Sequence, residues 1–158
     1  MEFSKPKPVA FCLIEPTQTV DSTLDLLTAN FVRYHIQLEK RYESNGAQIQ
    51  ANADQLRQVV LNLVKNAIEA IGTEGTITVT TRRENSWFTL EIADTGPGIK
   101  PEILPKLFEP FTTTKSGGNG LGLSIVRKIV QEHRGTISVQ NRIPRGAIFT
   151  IRLPSVLQ

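Results

Sequence analysis

Cysteine is nearly absent from this chain. Of 158 residues only Cys12 carries a thiol, so no internal disulfide can form and no cysteine-based zinc spacing exists. A reducing, cytoplasmic setting fits, and Cys12, inside the apolar stretch Val9 to Ile14, reads as a packing residue rather than a nucleophile. Long hydrophobic runs are lacking too. No segment reaches the roughly 20 apolar residues of a membrane span, and the N-terminus has no signal-peptide core. The chain therefore reads as soluble, which leaves open whether a longer parent protein is anchored to a membrane. Clustered basic charge is also missing: 18 Lys and Arg stand against 15 Asp and Glu, a net +3 spread along the sequence. A nucleic-acid footprint needs basic residues massed on one face, so no nucleic-acid partner is expected. There is no G-x-x-x-x-G-K-[ST] P-loop, no G-x-G-x-x-G following a strand, no repeat and no low-complexity tract.

What is present has the size of one domain and a readable order. Met1 to Pro8 is polar with two prolines and reads as a linker. Val20, Leu24, Leu27 and Phe31 recur at helical spacing, with Thr19 as cap. Ile36, Leu38 and Tyr42 alternate like a half-buried strand, and Asn45-Gly46 turns the chain. A strongly amphipathic helix follows, with Leu56, Val59, Val60, Leu63, Val64, Ala67, Ile68 and Ile71 on one face and Gly72 as its stop. Ile77 and Val79, then Phe88, Leu90 and Ile92, predict a hairpin around Glu84-Asn85-Ser86. From Asp94 to Gly122 the chain is rich in glycine and proline, interrupted by one apolar turn at Ile103, Leu104 and Leu107. A second helix runs from about Leu121 to His133, and strands at Thr136–Gln140 and Ala147–Leu153 flank a turn at Asn141–Gly146. The order predicts a mixed sheet with helices on one face.

The chemistry concentrates in three places. Connections beyond about 12–15 residues are usually functional or disordered, and the long one here begins and ends on glycine clusters, where backbone can approach a ligand closely. In the first cluster, Asp94 to Ile99, an aspartate at a strand end beside two glycines can present its carboxylate to a planar ligand. A carboxylate accepts from an amino group, so it favours adenine and repels the carbonyl of guanine. Taken alone, the same pattern also suits an ordinary turn. In the second cluster, Gly117 to Ser124, glycine-flanked amides open a helix and form a place for phosphate. The third is a stripe on the long helix, where Asn62 and Asn66 lie four apart with Glu69 one turn on. An asparagine oxygen there could complete a Mg²⁺ shell made mostly of phosphate and water, or simply belong to the helix's polar side.

In this order the three elements resemble the Bergerat ATP-binding fold of sensor histidine kinases, type II topoisomerases, Hsp90 and MutL-type ATPases. The histidine kinase branch is the nearest likeness. Gln58 to Ala70 resembles its N box, Asp94 to Ile99 its G1 box, Leu107 to Phe111 its F box and Gly118 to Leu123 its G2 box, while Thr112 to Lys115 matches the lid of the NtrB-like and FixL-like subgroup. The resemblance runs from about Val20 to Pro154. It implies an α+β, two-layer sandwich, with a mixed, mostly antiparallel sheet of about five strands covered on one face by three helices. It further implies that residues 1–15 are a linker or the end of a dimerisation and phosphoacceptor domain, and that residues 16–158 form the catalytic ATP-binding domain.

The site residues follow from the same likeness. Asn66 would hold Mg²⁺ with the phosphates, assisted by Asn62, with Glu69 near the nucleotide. Asp94 would accept from the adenine amino group, with Gly96, Gly98 and Ile99 shaping the base pocket. In the lid, Thr113 and Thr114 would flank Lys115, which would approach the terminal phosphate and act with Asn66 as a catalytic residue. Gly118, Gly120, Leu121, Gly122 and Leu123 would meet phosphate through backbone amides, and Thr150 would help bind adenine through water. Phe108 and Phe111 would anchor the base of the lid.

In hydrolysing relatives, the residue four before the Mg²⁺-binding asparagine is a water-activating glutamate. Asn62 stands there instead and cannot act as a base near neutral pH, so ATP should await a protein nucleophile. The only histidines are His35 and His133. Neither has the helical His-Glu/Asp context of a phosphoacceptor, and both are expected to be structural. Phe3 to Pro6 looks like the Phe-Ser-Arg-Pro motif that ends the dimerisation helices of such kinases. The expectation is thus a kinase's nucleotide half, monomeric by itself within a homodimeric whole, with its own dimerisation domain and a response regulator receiver domain as partners. A hydrolase, or a nucleotide-sensing or serine-kinase module of the same fold, remains the alternative.

Overall fold

The structure, a computed structural model, describes residues 10–44, 46–110 and 122–156. Strand β1 (Cys12–Ile14) is followed by helices α1 (Pro16–Asp25) and α2 (Thr28–Arg33), then β2 (Ile36–Glu43) and β3 (Ile49–Ala51). Helix α3 (Ala53–Ile71) precedes the hairpin β4 (Gly75–Glu84) and β5 (Trp87–Asp94). After a 3₁₀ turn at Leu104–Lys106 come α4 (Gly122–Glu132), β6 (Thr136–Asn141) and β7 (Ala147–Pro154).

Five strands form one sheet in the order β2-β4-β5-β7-β6, parallel between β2 and β4 and antiparallel elsewhere. Period-2 alternation sends Ile77, Val79, Phe88, Leu90, Ile92, Phe149 and Ile151 to the face where α3 lies, and all are buried. Against them α3 lays Leu56, Val59, Val60, Leu63, Val64, Ala67 and Ile68, its predicted apolar stripe. The opposite face carries threonines and the ion pairs of Arg82 with Glu91 at 2.9 Å and Glu43 at 3.3 Å. The α+β sandwich with a mixed five-stranded sheet is the predicted architecture.

Three expectations are corrected. The first helix begins at Pro16, with proline in its first turn and Glu15 as cap, rather than at Val20 after Thr19. It also breaks in two. The Thr23 hydroxyl bonds back to the Thr19 carbonyl at 2.7 Å, and the amides of Leu26 and Leu27 tighten to i−3 carbonyls, so the described residues hold four α-helices rather than three. Val20, Leu24, Leu27 and Phe31 are nevertheless all buried. Lastly, Cys12 is exposed rather than packed, because its short strand pairs with β3 at the margin, away from the main sheet.

Candidate functional site

Asn52 caps α3 by accepting from the Gln55 amide at 2.9 Å, Asp54 sits favourably in the first turn, and Gly72 at φ 79° ends the helix. This fixes the rotation of the polar stripe beside the apolar face. Asn62 and Asn66 are half-buried at its margin and Glu69 is exposed. The Asn62 amide donates to the Gly122 carbonyl at 3.4 Å, so the stripe meets the start of α4. Gly122 therefore stands next to Asn62. Thr113, Thr114, Lys115, Gly118, Gly120, Leu121 and Phe111 lie outside the described residues.

Strand β5 carries Asp94 to the other side of this region. Its parity with Ile92 turns the carboxylate toward α3, where it is 2% exposed, and Oδ1 accepts from the Gly96 amide at 2.8 Å. Gly96 is required by space: a Cβ there would stand 2.9 Å from the Ala70 carbonyl oxygen of α3 and 3.1 Å from Asp94 Oδ1. Gly98 is required by conformation, with φ at +84°. Thr95 accepts from the Thr76 amide at 3.0 Å and secures the strand end. The structure thus brings Asp94, Gly96, Gly98 and Ile99 into one loop beside the helix that bears Asn62 and Asn66.

Thr150 is not brought there. On β7 it pairs with Glu91 on the open face of the sheet, while Asp94 points to the helical face. Side chains alternate along a strand, and from the Ala93–Ile148 pair the residue beside Asp94 is Ala147, which is buried and has no hydroxyl. The assignment of Thr150 to the adenine is corrected on this ground. Phe108 packs edge-on against Phe149 with centroids 6.2 Å apart, as an anchor would.

Four residues at the far end of the sheet were missed by sequence reasoning. The turn between β6 and β7, read only as a turn, lies against the Asp94 loop. Asn141 accepts from the Ile99 amide and donates to the Ile99 carbonyl, both at 2.8 Å. Arg142 donates to the Asp94 carbonyl and Arg145 to the Gly96 carbonyl, each at 3.1 Å. Gly146, at φ +110°, passes so close that a Cβ would lie 2.0 Å from the Asp94 carbonyl oxygen. An Asn-Arg turn carries no sequence signal of this role, since the β5–β7 register alone creates the contact.

The two histidines behave as expected of structural residues. His133 is 5% exposed; its Nε2 accepts from the Asn52 amide at 3.2 Å, Nδ1 faces the Ile129 carbonyl at 2.8 Å, and Phe11 stacks on the ring at 4.5 Å. Asn52 also donates from its side chain to the Ala10 carbonyl at 3.0 Å, so one residue joins the chain's entry, α3 and α4. His35 is an exposed turn residue at φ 55° before β2. Among the described residues no three His, Cys, Asp or Glu side chains gather to hold a metal, and no helix is long and apolar enough to cross a membrane.

A buried strand-end aspartate, two glycines after it and an asparagine stripe thus occupy a strand end and the helix that faces it. Residues 51–157 match the family described as histidine kinase-, DNA gyrase B- and HSP90-like ATPases, and the chain belongs to that family. Within it, the likeness is to histidine kinases. The catalytic domain of the histidine kinase ThkA superposes with a TM-score of 0.85 at 32% identity, over 91% of this chain and 95% of that one. Sensor histidine kinase ZraS of Escherichia coli K12 is 37% identical over 98% of this chain and 33% of its own length. The sensory histidine kinase/phosphatase NtrB of Rhizobium meliloti is 37% identical over 97% of this chain and 44% of its own. The chain spans about a third of the length of the first of these relatives. A complex of ThkA with the response regulator protein TrrA also superposes, with a TM-score of 0.82 at 31% identity, over 92% of this chain and 42% of that one.

Proposed function

We propose that this chain holds Mg-ATP and serves as the nucleotide half of a protein-histidine kinase. Its γ-phosphoryl group would pass to a histidine nitrogen on the protein's own dimerisation domain, leaving ADP, and then to a response regulator receiver domain. The carrying observation is Asp94, a carboxylate 2% exposed and held by the Gly96 amide at a strand end. A carboxylate has acceptor capacity on both oxygens, and the adenine amino group is a donor of the right kind for one at a strand end. Gly96 and Gly98 leave the base room against backbone. Asn66, with Asn62 and Glu69 nearby, fits a Mg²⁺ whose other ligands are phosphate oxygens and water, because a neutral amide oxygen and a sparse carboxylate set suit this ion. When bound, Mg²⁺ neutralises phosphate charge. Gly122 and Leu123 at the start of α4, with Gly118, Gly120, Leu121, Thr113, Thr114 and Lys115 before it, complete the proposed phosphate side.

One observation favours kinase over hydrolase. Asn62, at the Asn62–Gly122 contact, provides no general base for water. The ring nitrogens of His133 are both engaged and His35 is an exposed turn residue, which supports an acceptor histidine on another domain. We place the domain in the cytoplasm, residues 1–15 as the approach to the dimerisation domain and residues 16–158 as the catalytic domain. Calorimetric titration should show ATP binding that weakens when Mg²⁺ is chelated. Asp94→Asn should cost about 1–3 kcal/mol of ATP affinity; unchanged affinity would sink the adenine assignment. Supplying the dimerisation domain should yield acid-labile phosphate on that partner. Acid-stable label would favour the serine-kinase alternative, and rapid ATP turnover by the chain alone a hydrolase.

A further inference from the structure

We infer that the turn from Asn141 to Gly146 is a positioning element for base recognition, with Asn141 and Arg145 as positioning residues acting through Asp94. The inference rests on the adenine reading above. A carboxylate discriminates an amino group from a carbonyl only while its oxygen stays aligned with the base edge, and hydrogen bonds weaken steeply with misalignment. Asp94 owes its alignment to the path of the loop from 94 to 99. That path is held from one side by a single turn. Three loop carbonyls are engaged: Asp94 by Arg142, Gly96 by Arg145 and Ile99 by Asn141. The Ile99 amide is engaged by Asn141 as well. Gly146 and Gly98 let the two backbones close together, since a Cβ on Gly98 would lie 3.2 Å from the Gly146 carbonyl oxygen. The side chains of Asn141 and Arg145 bond the loop at Ile99 and Gly96 and not the Asp94 carboxylate, so their loss frees the loop to shift and tilts that carboxylate without removing it.

The measurement is the ratio of ATP to ITP affinity in the 158-residue chain, since inosine carries a carbonyl where adenine carries its amino group. The unmodified chain should prefer ATP by about tenfold or more, and Asp94→Asn should remove most of that preference. Asn141→Ala and Arg145→Ala should each lower the ratio by about threefold or more. Asn141→Asp, which keeps the acceptor for the Ile99 amide but loses the donor, should fall between, and Arg145→Lys should partly restore what Arg145→Ala loses. A merely structural turn would weaken ATP and ITP equally and leave the ratio unchanged. That result, alongside a collapsed ratio in Asp94→Asn, overturns the positioning role while keeping the adenine site. An unchanged ratio in Asp94→Asn overturns the adenine reading, and this inference with it. Arg145 is exposed, so its variants decide the matter should Asn141→Ala fail to fold.

Discussion

Two hairpins of the same sheet close in contrasting ways. Between β4 and β5 the pair Glu84–Trp87 is joined by Asn85 and Ser86 alone, with Asn85 at φ 55°, and the Ser86 carbonyl accepts from Ser155 at 2.7 Å. That turn completes a ladder and anchors the chain's last strand. Between β6 and β7 the pair Asn141–Ala147 encloses five residues, and their side chains reach out to another loop. Extra loop length in a hairpin costs little entropy, so here it supplies reach, which a two-residue turn cannot. The lesson is that a turn's contribution is set by what it touches beyond its own strands.

The contrast can be broken or sharpened by substitution. Gly146→Ala should have the largest effect. A Cβ 2.0 Å from the Asp94 carbonyl oxygen, at φ +110°, forces both backbones apart. A loss of about 3 kcal/mol or more in denaturant stability is expected, with ATP binding falling alongside. Stability unchanged within about 0.5 kcal/mol would mean the two backbones are not truly packed. At the other turn, Asn85→Ala should cost only about 1 kcal/mol, because alanine lacks the short polar side chain by which asparagine tolerates the left-handed conformation, and should leave ATP affinity unaltered. A drop in ATP affinity there would erase the distinction between the hairpins.

The smallest effect belongs to a corner remote from both turns. The Asp21 carboxylate, bonded to Lys40 at 2.8 Å and Tyr42 at 2.7 Å, is held below its ordinary 3.8, chiefly by Lys40 and then by Tyr42. Lys40 is correspondingly raised above 10.5, mainly by Asp21, and Tyr42 is raised by burial and then by Asp21. A lowered acid stabilises the fold above its unfolded value, and this contribution fades as pH falls below 3.8; the raised Lys40 contributes below 10.5 and is lost as pH climbs past it. The pair is substantially exposed, so Asp21→Asn should cost under about 1 kcal/mol at neutral pH. Thermal melts against pH should show the variant and parent converging in strong acid. A gap that widened toward pH 2 would reverse the sign assigned to Asp21.

Helix α3 and the β4–β5 hairpin were legible in the sequence because their apolar periods are long and unbroken. The site's own helix and strand-end aspartate were therefore placed correctly. The start of α1 was hidden, since Pro16 to Thr19 carries no apolar rhythm and the buried Thr23 reads as polar. Strands β1 and β3, at three residues each, are too short for alternation to register. Thr150 went astray through parity: the face of a residue on β7 depends on a pairing register with β5 that no local pattern encodes. The props under the Asp94 loop escaped for the same reason, as they exist only once two distant strands are aligned.

The parallel pairing of β2 with β4 bears on the order in which the molecule assembles. Ile36 meets Gly75 only after the chain has run out along β2, through β3 and back along α3. An antiparallel hairpin such as β4–β5 closes across two residues and forms on a microsecond scale, whereas a crossover of this length pays its closure entropy first. The sheet should therefore grow outward from β4–β5, with β2 added late and its contacts scarcely formed in the transition state. Substitutions at Ile36 or Leu38 would then speed unfolding and leave the refolding rate nearly untouched.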